Sequence, residues 1–108
     1  MQVVDSASGL LHVTVRTSPQ PPVKGVNAVQ YQITDAAGGP VDGLDVTAFP
    51  WMPAHGHGTS VQPTITAEGA GIYQIVNVYL YMSGRWELRS DLGQDGGQDS
   101  VIPVFDVP

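Results

Sequence analysis

Leu11, Val13 and Val15 alternate with His12, Thr14 and Arg16, and this period of two recurs along most of the chain. Successive side chains of an extended backbone point to opposite faces, so such alternation marks a half-buried β-strand. Leu11 to Arg16 is therefore predicted as a first strand. Residues 1–9 before it are small and polar and predict a flexible lead-in, leaving residues 10–108 as a single β-sandwich domain. Pro19, Pro21 and Pro22 make Thr17 to Gly25 a non-helical connection. Val26 to Thr34 alternates again, with Val29, Tyr31 and Ile33 on one face, and Asp35 to Pro40 is turn chemistry. Leu44 to Phe49 predicts a third strand with Leu44, Val46 and Ala48 inward. Val61, Pro63 and Ile65 mark a fourth, and its proline places it at a sheet edge or a strand start.

Ile72 to Met82 is the longest β pattern. Ile72, Val76, Val78, Leu80 and Met82 fall on one face; Tyr73, Ile75, Tyr79 and Tyr81 fall on the other. Two apolar faces predict a central strand covered on both sides. Trp86 and Leu88 then point inward between Arg85, Glu87 and Arg89, a glycine-rich turn follows from Gly93 to Gly97, and Val101 to Val107 closes the sheet. No stretch carries a helical period longer than a turn. About seven short strands with frequent turn signals predict an all-β, immunoglobulin-like sandwich, with a small barrel as the alternative.

Composition narrows the function more than the fold. The 108 residues include 13 glycines and 9 prolines, in keeping with many turns, and 42% hydrophobic residues, enough to fold. Four basic residues face ten acidic ones for a formal charge of −6, so there is no basic patch for nucleic acid, and an anionic membrane surface would repel the chain. The absence of cysteine excludes a thiolate zinc site, a disulfide framework and a thiol nucleophile. No apolar run approaches the ~18 residues that span a bilayer, so direct membrane insertion is not expected, and the first residues lack a signal-peptide pattern. Nucleophile elbow, zinc-protease and phosphate-loop motifs are missing, and Glu68 and Glu87 stand alone, so no catalysis is expected.

One stretch stands apart: Trp51-Met52-Pro53-Ala54-His55-Gly56-His57-Gly58. In an extended segment His55 and His57 would share a face, their Cα atoms roughly 6.5–7 Å apart, and could aim two imidazoles at one ion. Met52 adds a thioether, and Met82, at the end of the long central run, is a further candidate ligand. Two imidazoles and two thioethers favour copper over magnesium or calcium, which take oxygen ligands; zinc would use the histidines and gain little from sulfur. Trp51 is a candidate to cap such a cation or a plain packing residue. Trp86 reads as core and His12 as a surface histidine. Asp91, Asp95 and Asp99 lack the ligand spacing of a calcium loop and read as a solvated hairpin.

These motifs resemble the YtkA/FixH-like family of small extracytoplasmic β domains. The likeness runs from about Leu10 to Val107, through Gly25-Val26-Asn27, Asp35 to Val41, Met52 to His57, Gly71-Ile72-Tyr73 and Met82 to Leu88. It implies a periplasmic or extracellular sandwich, often membrane-anchored in the full-length protein, that works in copper handling and oxidase assembly beside a copper-receiving or membrane protein. By position it implies Met52 and His57 as donors, with Met82 weaker. His55 stands where such motifs often have methionine, which shifts the donors towards nitrogen and brings Cu(II) or zinc in beside Cu(I). The expected function is thus a copper carrier, buffer or assembly factor. The alternative is a structural or protein-interaction sandwich that holds no metal; a sugar-binding sandwich has only Tyr79 and Tyr81 in support.

Overall fold

The alternating runs do become strands in the computed structural model, which describes residues 1–94 and 97–108. Among the described residues there are ten: β1 (Gln2–Asp5), β2 (Leu11–Ser18), β3 (Gly25–Asp35), β4 (Asp45–Met52), β5 (His57–Gly58), β6 (Thr64–Gly69), β7 (Ile72–Leu80), β8 (Gly84–Gln94), β9 (Gly97–Val101) and β10 (Val104–Val107). One antiparallel sheet has the order β1-β2-β3-β7-β6. The other runs β10-β8-β4-β5, with β9 also paired to β8. Among the described residues no helix is long and apolar enough to cross a membrane, and the fold is the all-β sandwich that the pattern predicts.

Three of the ten strands lie outside the seven predicted. Residues 2–5 are not a loose lead-in: β1 pairs with β2, Gln2 opposite Val15 and Asp5 opposite His12, and a 2.7 Å hydrogen bond joins the Asp5 carboxylate to His12 Nδ1. The closing strand is broken in two at Ile102 and Pro103, yet its register along β8 runs straight through, with Val101 opposite Ser90 and Val104 opposite Glu87. Proline has no N–H to give the ladder. Its carbonyl still accepts from the Leu88 amide at 2.9 Å. The third addition, β5, belongs to the candidate site.

The core lies between the inner faces. Val13, Val15, Val29, Tyr31, Ile33, Tyr73, Ile75, Val78 and Leu80 come from one sheet; Val46, Ala48, Met52, Trp86, Leu88, Leu92, Phe105 and Val107 come from the other. β7 departs from its predicted phase. Tyr73 and Ile75 face inward with Val78 and Leu80, whereas Val76 is 41% exposed and Ile72 only half-buried. The reason is a β-bulge: Asn27 pairs with Val78 but Val29 pairs with Ile75, so β7 holds one extra residue. Asn77 sits in it at φ 59°, a conformation that asparagine tolerates better than most. The extra residue moves the core face from odd to even positions. β7 is an interior strand, between β3 and the edge strand β6, and only one of its faces is covered.

Candidate metal centre

β4 runs through Pro50, Trp51 and Met52, three residues beyond the apolar run that predicts it. Pro53 then begins a tight turn in which the Met52 carbonyl accepts from the amides of His55 at 3.1 Å and Gly56 at 2.9 Å. Gly56 supplies the positive φ of 64° that the reversal needs. The chain returns as β5, with Met52 opposite His57 and Trp51 opposite Gly58. A Cβ on Gly58 would lie 2.6 Å from the Pro50 carbonyl oxygen, so only glycine lets β5 approach β4 this closely. The His-Gly-His segment is therefore a hairpin corner rather than the extended run the sequence suggests, with His55 on the turn and His57 on the strand.

The two imidazoles nevertheless come together. Their rings stack with centroids 5.5 Å apart and planes inclined by 27°. Residues directly opposite in an antiparallel pair share a sheet face, so Met52 and His57 both lie on the inner side. His55 is exposed and His57 half-buried. On its other side His57 stacks on Tyr81 at 5.9 Å, and Tyr81 meets the edge of the buried Trp86 ring at 5.5 Å. The Tyr81 hydroxyl lies 3.0 Å from His57 Nδ1 and donates to the Gly58 carbonyl at 3.1 Å.

The methionines are divided. Met52 is 1% exposed and packed in the core, and its terminal methyl lies 2.8 Å from where a Cβ on Gly84 would be, under the start of β8. Met82 falls past the end of β7, half-buried against the core, and its carbonyl accepts the Trp86 indole N–H at 2.9 Å. Both side chains thus border the β7–β8 connection. Among the described residues no three His, Cys, Asp or Glu side chains gather into a metal-holding group. An ion here would depend on two imidazoles supplemented by thioether sulfur, a donor set suited to copper.

The other candidates lie apart from this corner. Trp51 points to the opposite face of β4 from Met52, where its ring carries the Arg89 guanidinium at 4.9 Å. His12 is held at the surface by Asp5. Tyr79 and Tyr81 tilt against one another at 5.6 Å, both half-buried, rather than forming an open row. Asp91 and Asp99 stand on the β8–β9 hairpin, opposite Ser100 and Leu92; Asp95 lies outside the described residues. Asp99 instead ties down the N-terminal turn, accepting from Ser8 Oγ at 2.5 Å and from the Ser8 amide at 3.1 Å. Burial, the largest single influence, raises its pKa, but hydrogen bonds from Ser8, Ser6 and the amides of Ser8 and Ser100 outweigh it and hold the carboxyl at about 2.

Tyr81 is the member of this corner that the sequence does not place beside the histidines. Tyr81 stands 24 positions from His57 in the chain, and only the packing of the β7 end against the β4–β5 hairpin joins them. A tyrosine closing an apolar strand is the one hint available beforehand, and it fits plain packing equally well.

No curated protein and no solved structure gives a match to this chain. The model of one family, described as YtkA-like, matches residues 5–91, from the end of β1 into β8 and across the whole of the His/Met hairpin. With four-fifths of its length inside that match, the chain belongs to the YtkA-like family.

Proposed function

We propose that this domain binds copper outside the cytoplasm and hands it on, as a carrier, buffer or assembly factor. The observation that carries the reading is the stacked pair of imidazoles, 5.5 Å apart at one corner of a rigid sandwich, with Met52 directly across the hairpin from His57. His55 is the exposed donor through which an ion enters and leaves. His57, half-buried and braced by Tyr81, is the fixed one, and Met52 and Met82 are the sulfur donors on the inner side. A mixed nitrogen and sulfur set holds either oxidation state of copper, with zinc as the second ion to test. The formal charge of −6 favours approach of a cation. The partner would be a copper-receiving or membrane protein, and the setting periplasmic or extracellular, with a membrane anchor in the full-length protein.

Cu(I), held reduced and buffered by a competing chelator, and Cu(II) should each be titrated into the domain and into a His55→Ala/His57→Ala double variant. A ligand that binds only the folded state raises its stability by about 2.7 kcal/mol at a hundredfold excess over Kd. For a domain of this size that is a rise in melting temperature of roughly 10 °C or more. The rise is expected in the parent and should vanish in the double variant; equal affinity in the two removes the reading. A competing interaction module without metal draws on two observations: Met52 is sealed in the core, and His57 already has a protein partner. That reading requires an unchanged melting temperature with copper and with zinc.

A further inference from the structure

Three polar atoms form a small triangle behind the hairpin. Tyr81 Oη lies 3.0 Å from His57 Nδ1 and 3.1 Å from the Gly58 carbonyl oxygen, and His57 Nδ1 lies 3.3 Å from that same oxygen. The carbonyl only accepts, the phenol carries one proton, and a neutral imidazole carries its proton on one nitrogen or the other. Were Nδ1 bare, one phenolic proton would have to serve both the ring nitrogen and the carbonyl, and two lone pairs would face each other across 3.3 Å. With the proton on Nδ1, the count closes. Nδ1–H donates to Tyr81 Oη, Tyr81 O–H donates to the Gly58 carbonyl, and no two acceptors oppose one another. The proton on Nδ1 leaves Nε2 with its lone pair free.

We infer that Tyr81 is a positioning residue that sets the tautomer and ring orientation of His57, so that Nε2 is the nitrogen offered to a metal ion. The inference rests on the metal-binding reading and deepens it. A ligating histidine takes its tautomer from the hydrogen bond made by its other nitrogen, and loss of such a partner commonly costs about 10–100-fold in metal affinity. Here the partner is a phenol held by ring contacts of its own, stacked on His57, tilted against Tyr79 and edge-on to Trp86. Its ring is placed by packing and its oxygen by the backbone of β5.

Tyr81→Phe removes the oxygen and keeps the ring, and Tyr79→Phe serves as the control. Ring-nitrogen chemical shifts of the metal-free protein report the tautomer directly. Cu(I) affinity by chelator competition and Zn(II) affinity by titration report the consequence. The expected result is Nδ1–H for His57 in the parent and in Tyr79→Phe. In Tyr81→Phe a shift towards Nε2–H should accompany an affinity roughly tenfold or more weaker, with the melting temperature of the metal-free protein little changed. His57 found mainly as Nε2–H in the parent overturns the inference whatever the metal does. Copper binding that is tight in the parent and equal in Tyr81→Phe also overturns it, while the metal-binding reading stands. If the parent binds neither ion, the metal-binding reading itself falls and takes the role of Tyr81 with it.

Discussion

Met52 is asked to do two things at once, to fill the core and to offer sulfur. Its burial is complete enough that the packing role needs no metal: at 1% exposure it closes the inner end of β4 against the start of β8. Methionine suits such a place because its unbranched, polarizable chain fills irregular gaps. The two roles separate by substitution. Met52→Leu keeps the apolar volume and is expected to cost less than about 1.5 kcal/mol in denaturant unfolding, whereas Met52→Ala leaves a cavity and should cost about 2–5 kcal/mol. If the sulfur is also a donor, Met52→Leu lowers Cu(I) affinity while Zn(II) affinity stays near the parent's, because zinc gains little from a thioether. Unchanged Cu(I) affinity in Met52→Leu would reduce Met52 to a core residue.

Among the elements, β7 shows where alternation stops being a sufficient guide. Apolar residues occupy both parities of Ile72 to Met82, so the sequence offers two interleaved faces and no sign that the inward one changes partway. The bulge at Asn77 resolves the ambiguity by spending one residue, after which Val78 and Leu80 take the inward positions. In β2 and β8 only one parity is apolar, and in β3 the apolar residues of the other parity, Val26 and Ala28, stand at its start; in all three the predicted and observed faces agree. β1 was hidden for the opposite reason: four residues with Val3 exposed carry too weak a pattern, and pairing with β2 orders them. The candidate site divides in the same way. Three of its four candidate donors, Met52, His55 and His57, share one short stretch and could be read from it, but the reversal at Pro53 to Gly56 breaks the extended pattern and the approach of Tyr81 depends on contact between distant segments. The bulge is open to test at its one left-handed residue. Asn77→Gly should be neutral within about 0.5 kcal/mol or stabilising, while Asn77→Val, β-branched at φ 59°, should cost about 1–3 kcal/mol in thermal unfolding. Equal stability of the two variants would mean that the register shift is not pinned there.

At the scale of the whole molecule, the sandwich must hold its two sheets in a fixed relation if a corner built from both is to keep its shape. His55, His57 and Met52 come from the sheet of β4 and β5, while Tyr81 follows β7 in the facing sheet. Hydrophobic contact between the inner faces is strong but non-directional. A buried bond between two side chains also crosses it. The Tyr31 hydroxyl, on β3, lies 2.7 Å from Ser90 Oγ on β8, and Ser90 Oγ donates in turn to the Leu88 carbonyl at 3.1 Å. Ser90 has only one proton, already committed to Leu88, so Tyr31 donates to Ser90. Burial pushes the Tyr31 phenol far above its usual pKa, against the opposing pull of the Ser90 bond, so it stays protonated and remains a donor. The direction of that bond makes the two single substitutions unequal. Tyr31→Phe takes away one donor and leaves Ser90 still bonded to Leu88, and it should cost no more than about 1 kcal/mol. Ser90→Ala strands a fully buried hydroxyl with no acceptor and should cost about 1–3 kcal/mol, more than Tyr31→Phe. In the double variant no donor is left stranded, so it should be more stable than Ser90→Ala alone, a non-additivity that a double-mutant cycle in denaturant measures. Additive costs would show that the Tyr31–Ser90 bond contributes no directional tie between the sheets. A positive coupling would identify Tyr31 and Ser90 as one directional tie between the two sheets from which the histidine hairpin and Tyr81 come.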